Sequence, residues 1–293
     1  MSVPAKAPRR TIRPALAACL FVGQALYAGW LGAVPNPAPA RLKPKTLAAF
    51  ERYVRLTDEQ NAAELSRGVA FLLPDRRPEE ERGAAYAGIR GGGVAIDRLH
   101  MRDGGKAIEC PNGLIHHWAG VIFIPGATLD DTLRILEDYD HHADYYAPDV
   151  QRSKTLSHQG DDFRVLLRFR RKKVITVVLN TEHDVHYSRP DATHAVSRSS
   201  ATRITEVENP GEKDEREKTP GDDGGYLWRM ETWWHLFEKD GGTYVQCESV
   251  SLTRDIPVGL GWLVGPFVNS IPRESLTFTL TATRNAVEKQ REK

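Results

Sequence analysis

The sequence predicts an α+β fold: a curved antiparallel sheet of about seven strands wrapped on a long C-terminal helix, with an N-terminal helix and a small hairpin packed on it. Three observations predict this. From Leu114 onward, strand-like runs follow one another, separated by turn residues. A single amphipathic helical passage interrupts them, after the first run. The chain then closes on Leu276, Leu280 and Val287, which share one helical face with Thr283.

The elements follow in order. Residues 1–40 read as an export segment. Lys6, Arg9, Arg10 and Arg13 precede an apolar stretch from Pro14 to Val34, and Pro35-Asn36-Pro37-Ala38-Pro39-Ala40 ends in a small-residue cleavage pattern. A secretory signal cut after Ala40 (or after Ala28) and an uncleaved membrane anchor through residues 14–34 are both open. Either exports the rest of the chain, to a periplasmic or other extracytoplasmic place. Residues 41–112 form an N-terminal extension. Leu47, Phe50, Val54, Ala62 and Leu65 mark a helix over 41–67, and a charged connector runs from Asp75 to Glu81. Val94, Ile96 and Leu99 suggest a short strand, and Asp103-Gly104-Gly105 a hairpin turn.

Residues 113–293 form the main domain. Leu114 to Ile124 is the first strand, and Thr128-x-x-Asp131 resembles a capping box at the start of a helix carrying Leu129, Leu133 and Leu136. Four strands are expected over 150–158, 162–171, 174–187 and 193–207. Asn209 to Gly225 is so rich in Pro, Gly and charge that it reads as a long, mobile loop. Strands 226–238 and 243–255 meet at the tight turn Asp240-Gly241-Gly242. Pro272 and Glu274 suit the first turn of the last helix.

This order is similar to the helix-grip fold of the START-like, polyketide-cyclase-like (SRPBCC) superfamily. Three passages carry the likeness: Trp118-x-Gly120 to Pro125; Asp138-Tyr139-Asp140 to Tyr146-x-Pro148-x-Val150; and Ser251-Leu252-Thr253-Arg254-Asp255-Ile256-Pro257 leading to Ile271-Pro272-Arg273-Glu274-Ser275-Leu276. The resemblance implies an elongated cavity between sheet and last helix. Members mostly bind lipids, sterols or polyketides, and a minority catalyse cyclisation or dehydration. It transfers no fixed catalytic set.

Alternation assigns the candidate lining. Tyr226, Trp228, Met230, Trp234 and Leu236 share one strand face; Glu248, Val250, Leu252 and Arg254 share a face of the next strand. Both faces are taken as inward, opposite Leu276 and Leu280. Glu248 and Arg254 then read either as polar anchors for a ligand or as a structural ion pair, because an unpaired buried charge is costly.

Other chemistry is weighed and set aside. Lys+Arg 40 against Asp+Glu 39 gives no basic excess for nucleic acid. Arg168, Arg170, Arg171, Lys172 and Lys173 read as a solvated strand end. Asp138, Asp140, His141, His142 and Asp144 crowd one helix end but do not converge as metal ligands. His116 and His117 also diverge, as do His183 and His186. No Gly-x-Ser-x-Gly, His-Glu-x-x-His or P-loop is present, and no cofactor is implied. Whether Cys110 and Cys247 pair is left open. The expectation is an exported carrier of a hydrophobic or amphipathic, lipid-like small molecule. The alternatives are a cyclase- or dehydratase-like enzyme using Glu248 as base with Arg254, and a membrane-tethered interaction module with a filled cavity.

Overall fold

A computed structural model describes residues 39–68, 70–172, 176–256 and 261–293, with the side chains of 261–269 excepted. The export segment, except Pro39 and Ala40, therefore lies outside the described residues. Strand β1 (Ala40–Arg41) leads into α1 (Pro44–Arg67), a short 3₁₀ turn (Leu73–Arg76) and α2 (Glu79–Arg90). Then come β2 (Ala95–Arg98), the small hairpin β3 (Arg102–Asp103) and β4 (Lys106–Ala107), and the long β5 (Gly113–Pro125). Helices α3 (Leu129–Glu137) and α4 (His142–Tyr145) precede β6 (Val150–Gln159), β7 (Asp162–Lys172), β8 (Thr176–Ser188) and β9 (His194–Glu208). The two-residue strands β10 (Arg216–Glu217) and β11 (Asp222–Asp223) follow, then β12 (Arg229–Lys239), β13 (Gly242–Arg254) and α5 (Gly261–Arg291).

The sheet is open and antiparallel, in the order β2-β5-β13-β12-β9-β8-β7-β6, with β10 added on β9. Seven of these strands are the ones the alternation predicts; β2 and β10 bring the sheet to nine. Local chemistry explains the joints. Asp240 and Gly241 both take positive φ (57° and 75°), as a two-residue hairpin between right-twisted strands requires. Thr128 caps α3 by accepting from Asp131 N–H at 3.1 Å, while Asp131 accepts from Thr128 N–H at 3.1 Å.

Helices cover both faces of the sheet. On one side α5 and α3 pack Leu276, Leu280, Val287, Leu129, Leu133 and Leu136 against Ile122, Val245 and Leu236. On the other, α1 packs Phe50, Tyr53 and Val54 against Trp233, Val250 and Leu252, and the 3₁₀ turn adds Leu72 and Leu73 against Val121 and Tyr244. The α5 side is called concave below, and the α1 side convex.

Three expectations change. Helix α5 begins at Gly261, well before Pro272, which is accommodated inside it. Residues 209–225 are held, not free: Arg168 pairs with Glu215 at 2.9 Å, Asn180 donates to Glu217 at 2.7 Å, and Asp222 and Asp223 pair with β1. Polar tethers to distant strands order a segment that has little apolar surface of its own. Arg168 is accordingly buried (8% exposed) and not part of a solvated strand end.

Candidate functional site

Strand register places the concave side chains in rows running across the sheet. The lowest is aliphatic: Ile122 opposite Val245, Val245 opposite Leu236, and Leu236 opposite Ala195, all at 1% exposure or less. One step along the strands, Gly120 stands opposite Cys247, then Trp234, then Ser197. The next row is Trp118, Ser249, Thr232 and Ser199, and beyond it His116, Ser251 and Met230.

Burial changes along this ladder. The aliphatic row is sealed by α5 and α3, and Ser197 and Cys247 are each 4% exposed. Trp118, Ser249, Thr232, Ser199, Trp234 and Met230 are only partly buried. Helix α5 packs tightly on the sheet at Gly120, where an added Cβ would sit 2.7 Å from Leu280 Cδ1 and 3.3 Å from Leu276 Cδ2. Only glycine permits that approach. Cover is thus complete on the aliphatic row and partial on most of the upper positions, His116 (3% exposed) excepted.

Above the aliphatic row, the concave positions of β9, β12 and β13 carry hydroxyls and no charge. His183 Nε2 lies 2.8 Å from Thr181 Oγ1, and its Nδ1 lies 3.3 Å from Ser199 Oγ. Burial pushes His183 down to about 4, so the ring is neutral near neutral pH. The Ser197 hydroxyl and the Trp118 indole N–H are buried without a hydrogen-bond partner among the described residues. An unsatisfied buried polar atom costs about 1–3 kcal/mol. Such atoms mark a place where a ligand or water would be favourable.

The predicted lining residues divide between the two faces. Trp234, Met230, Leu236, Leu276 and Leu280 belong to the concave side. Glu248, Val250 and Leu252 do not, because the register puts Trp234 opposite Cys247 and Trp233 opposite Glu248. The residues read as inward on β13 face α1. Val250 and Leu252 are fully buried there with Phe50, Tyr53 and Val54. Trp228 packs in the same cluster, donating from Nε1 to Asp223 Oδ1 at 2.9 Å. Arg254 is half-buried at the end of β13 and lies along Gly225, with Nη1 3.4 Å from Gly224 O.

Glu248 has the role of a structural charge. It is 1% exposed; Oε1 accepts from His117 Nε2 at 2.8 Å, and Oε2 lies 3.5 Å from Arg76 Nη2. His117 Nδ1 is 3.0 Å from the Tyr53 hydroxyl, which also accepts from Met101 N–H at 2.8 Å. Arg76 in turn donates to Glu64 Oε2 at 2.9 Å and Asn61 Oδ1 at 3.2 Å. Burial raises the Glu248 pKa, but the hydrogen bond and charge of His117, with Arg76 and His235, outweigh it and hold the carboxyl below its ordinary value. This network ties the N-terminal extension to the sheet. Its Glu248–Arg254 pairing is not formed, so the proposed general base cannot act in the cup.

The remaining polar clusters are also resolved. His116 reaches Thr253 and His117 reaches Glu248 on the opposite face; His183 is buried, whereas His186 pairs with Asp162 at the surface. His141 and Asp138 form a surface pair at 2.7 Å, and no metal-ligating cluster occurs among the described residues. Cys110 and Cys247 are free thiols on opposite sides of the sheet, Cys110 with the α1 cluster and Cys247 with the α5 cluster. Two surface depressions, of about 410 Å³ by Arg168, Arg170 and Val178 and about 340 Å³ by Phe50, Asp58 and Arg229, open on the convex side. Their charged walls do not suit an apolar guest.

No family model matches the chain, and no curated protein matches it. Among solved structures it is similar to a STAR-related lipid transfer protein from Xanthomonas axonopodis. That likeness has 17% identity and a TM-score of 0.42, over 65% of this chain and 98% of that one. A START superfamily protein from Mycobacterium smegmatis gives 13% identity and a TM-score of 0.39, over 59% and 98%. The Zhui aromatase/cyclase from a Streptomyces species gives 13% and 0.38, over 60% and 96%. The order of the strands, the helix pair after β5 and the closing helix α5 give the chain an α+β, helix-grip fold.

Proposed function

We propose that this protein is an exported carrier that holds a hydrophobic or amphipathic small molecule between the concave sheet face and α5. The observation that carries the reading is the gradient of burial along that face. Leu236 is 1% exposed, whereas Trp234 and Thr232, on the same face of the same strand, remain partly open. Affinity would come from covering apolar surface, at about 25 cal/mol per Å². A few polar atoms would set orientation. Export rests on the charge and apolar pattern of residues 1–40.

Native mass spectrometry of the protein purified from its exported fraction tests this. The carrier reading expects a co-purifying mass of lipid-like size, released by organic solvent. A clean unliganded mass, with nothing extracted from total lipid, would contradict it. The enzymatic alternative loses its named base, because Glu248 is enclosed on the convex side.

A further inference from the structure

We infer that the cup selects an apolar molecule with an uncharged hydrogen-bonding head, such as a hydroxyl, ester or carbonyl group, and that Ser197 on β9 is its anchor. The inference rests on the carrier reading and adds the chemistry of the head group.

Three features of the concave face point the same way. Across β9, β12 and β13, Ser199, Thr232 and Ser249 lie side by side in register, forming a short band of hydroxyls above the aliphatic row. Ser197 stands just below the band, opposite Trp234, 4% exposed and with an unpartnered hydroxyl. A buried hydroxyl can both donate and accept, so it suits a neutral oxygen function. On the concave positions of β8, β9, β12 and β13 around this band there is no Asp, Glu, Lys or Arg. The imidazole beside the band, His183, is engaged by Thr181 and Ser199.

The two cations whose strand positions share this face stand at its flanks and are engaged. Arg98, on edge strand β2, lies over the Trp118 ring 6.0 Å from its centroid. Arg171, at the end of β7, pairs with Asp149 at 2.7 Å and reaches Ser275. A carboxylate or ammonium placed beside Ser197 would lose its hydration with no counter-charge there to replace it. A hydroxyl or ester carbonyl would instead satisfy the orphaned serine.

The test uses three probes with one acyl or alkyl chain: monooleoylglycerol, oleate and oleylamine, titrated into delipidated full-length protein and followed by calorimetry. Monooleoylglycerol should bind at least about tenfold tighter than either charged probe, the size expected when a buried polar partner is matched against left unpaired. Ser197→Ala should bring its affinity down toward that of oleate, while the thermal midpoint stays close to wild type. Oleate or oleylamine binding as tightly as monooleoylglycerol would overturn the head-group inference and leave the carrier reading intact. Wild-type ranking with Ser197→Ala unaffected would remove Ser197 as the anchor. Failure of all three probes to bind would remove both this inference and the carrier reading.

Discussion

Trp233 and Trp234 are adjacent in β12 and belong to two different chemical environments. Trp233 is 5% exposed, donates to Asp58 Oδ1 at 2.9 Å and lies beneath the Arg198 guanidinium. Trp234 faces α5 and is only partly covered, beside the unpartnered Ser197. The difference repeats across the sheet. Over β5, β13 and β12 the convex face is covered by the N-terminal extension, and charges there are paired, as in Glu248–Arg76–Glu64 and Asp58–Arg198–Glu231. The concave face carries hydroxyls, no central charge and incomplete cover. Residue parity thus separates two environments on one sheet: the convex side is tied to the N-terminal extension, and the concave side is the face that the proposed function assigns to the ligand.

Substitutions can break that division. The largest effect is expected at Glu248. Replacing it by Ala leaves the buried His117 Nε2 without its acceptor and takes one of two carboxylates from Arg76, at a cost of about 3–5 kcal/mol in urea unfolding. Ligand binding by the remaining folded protein should be unchanged, since the residue lies away from the cup. The tryptophan pair makes the contrast within two positions. Trp233→Ala should cost about 3–5 kcal/mol, as for a filled aromatic site. Trp234→Ala should cost about 1–2 kcal/mol while weakening ligand binding about tenfold. Equal stability losses for the two variants would erase the distinction between the faces.

Acid sharpens the comparison. Burial holds His183 at about 4, against 6.5 for an unfolded histidine. Between those values the unfolded chain binds the proton and the folded chain does not, so stability rises with pH. The contribution is complete above 6.5 and is lost as pH falls toward 4, by up to about 3 kcal/mol. Glu248 behaves differently. Its folded pKa lies below the ordinary carboxylate value of 4.5, so its contribution persists above that value and fails only as pH drops beneath it. Urea midpoints measured between about pH 7 and pH 4 should therefore fall, and His183→Gln should flatten part of that slope. An effect on stability alone is expected at Gly120. A valine there meets Leu280 and Leu276, pushes α5 outward and costs about 1–3 kcal/mol.

Much of this architecture was legible from alternation, turn residues and the capping box at Thr128. Which face of β13 looks at α5 was not. Val250 and Leu252 are as apolar as any lining residue, because a second helical layer buries the convex face too. Hydrophobicity alone cannot then distinguish inside from outside. The missing information is register: Trp234 opposite Cys247 fixes both strands at once. Ser197 left no signal in sequence, since an unpartnered serine looks like any other until its neighbours are placed. The order of residues 209–225 was hidden for a related reason. It comes from pairs such as Arg168–Glu215, formed between residues far apart in the chain.

A titration of delipidated protein with monooleoylglycerol, read from the assigned indole N–H resonances, tests the division of faces most directly. The account predicts saturable shifts at Trp118 and Trp234, with Trp228 and Trp233 still. Movement of Trp228 and Trp233 while Trp118 and Trp234 stay fixed would contradict it.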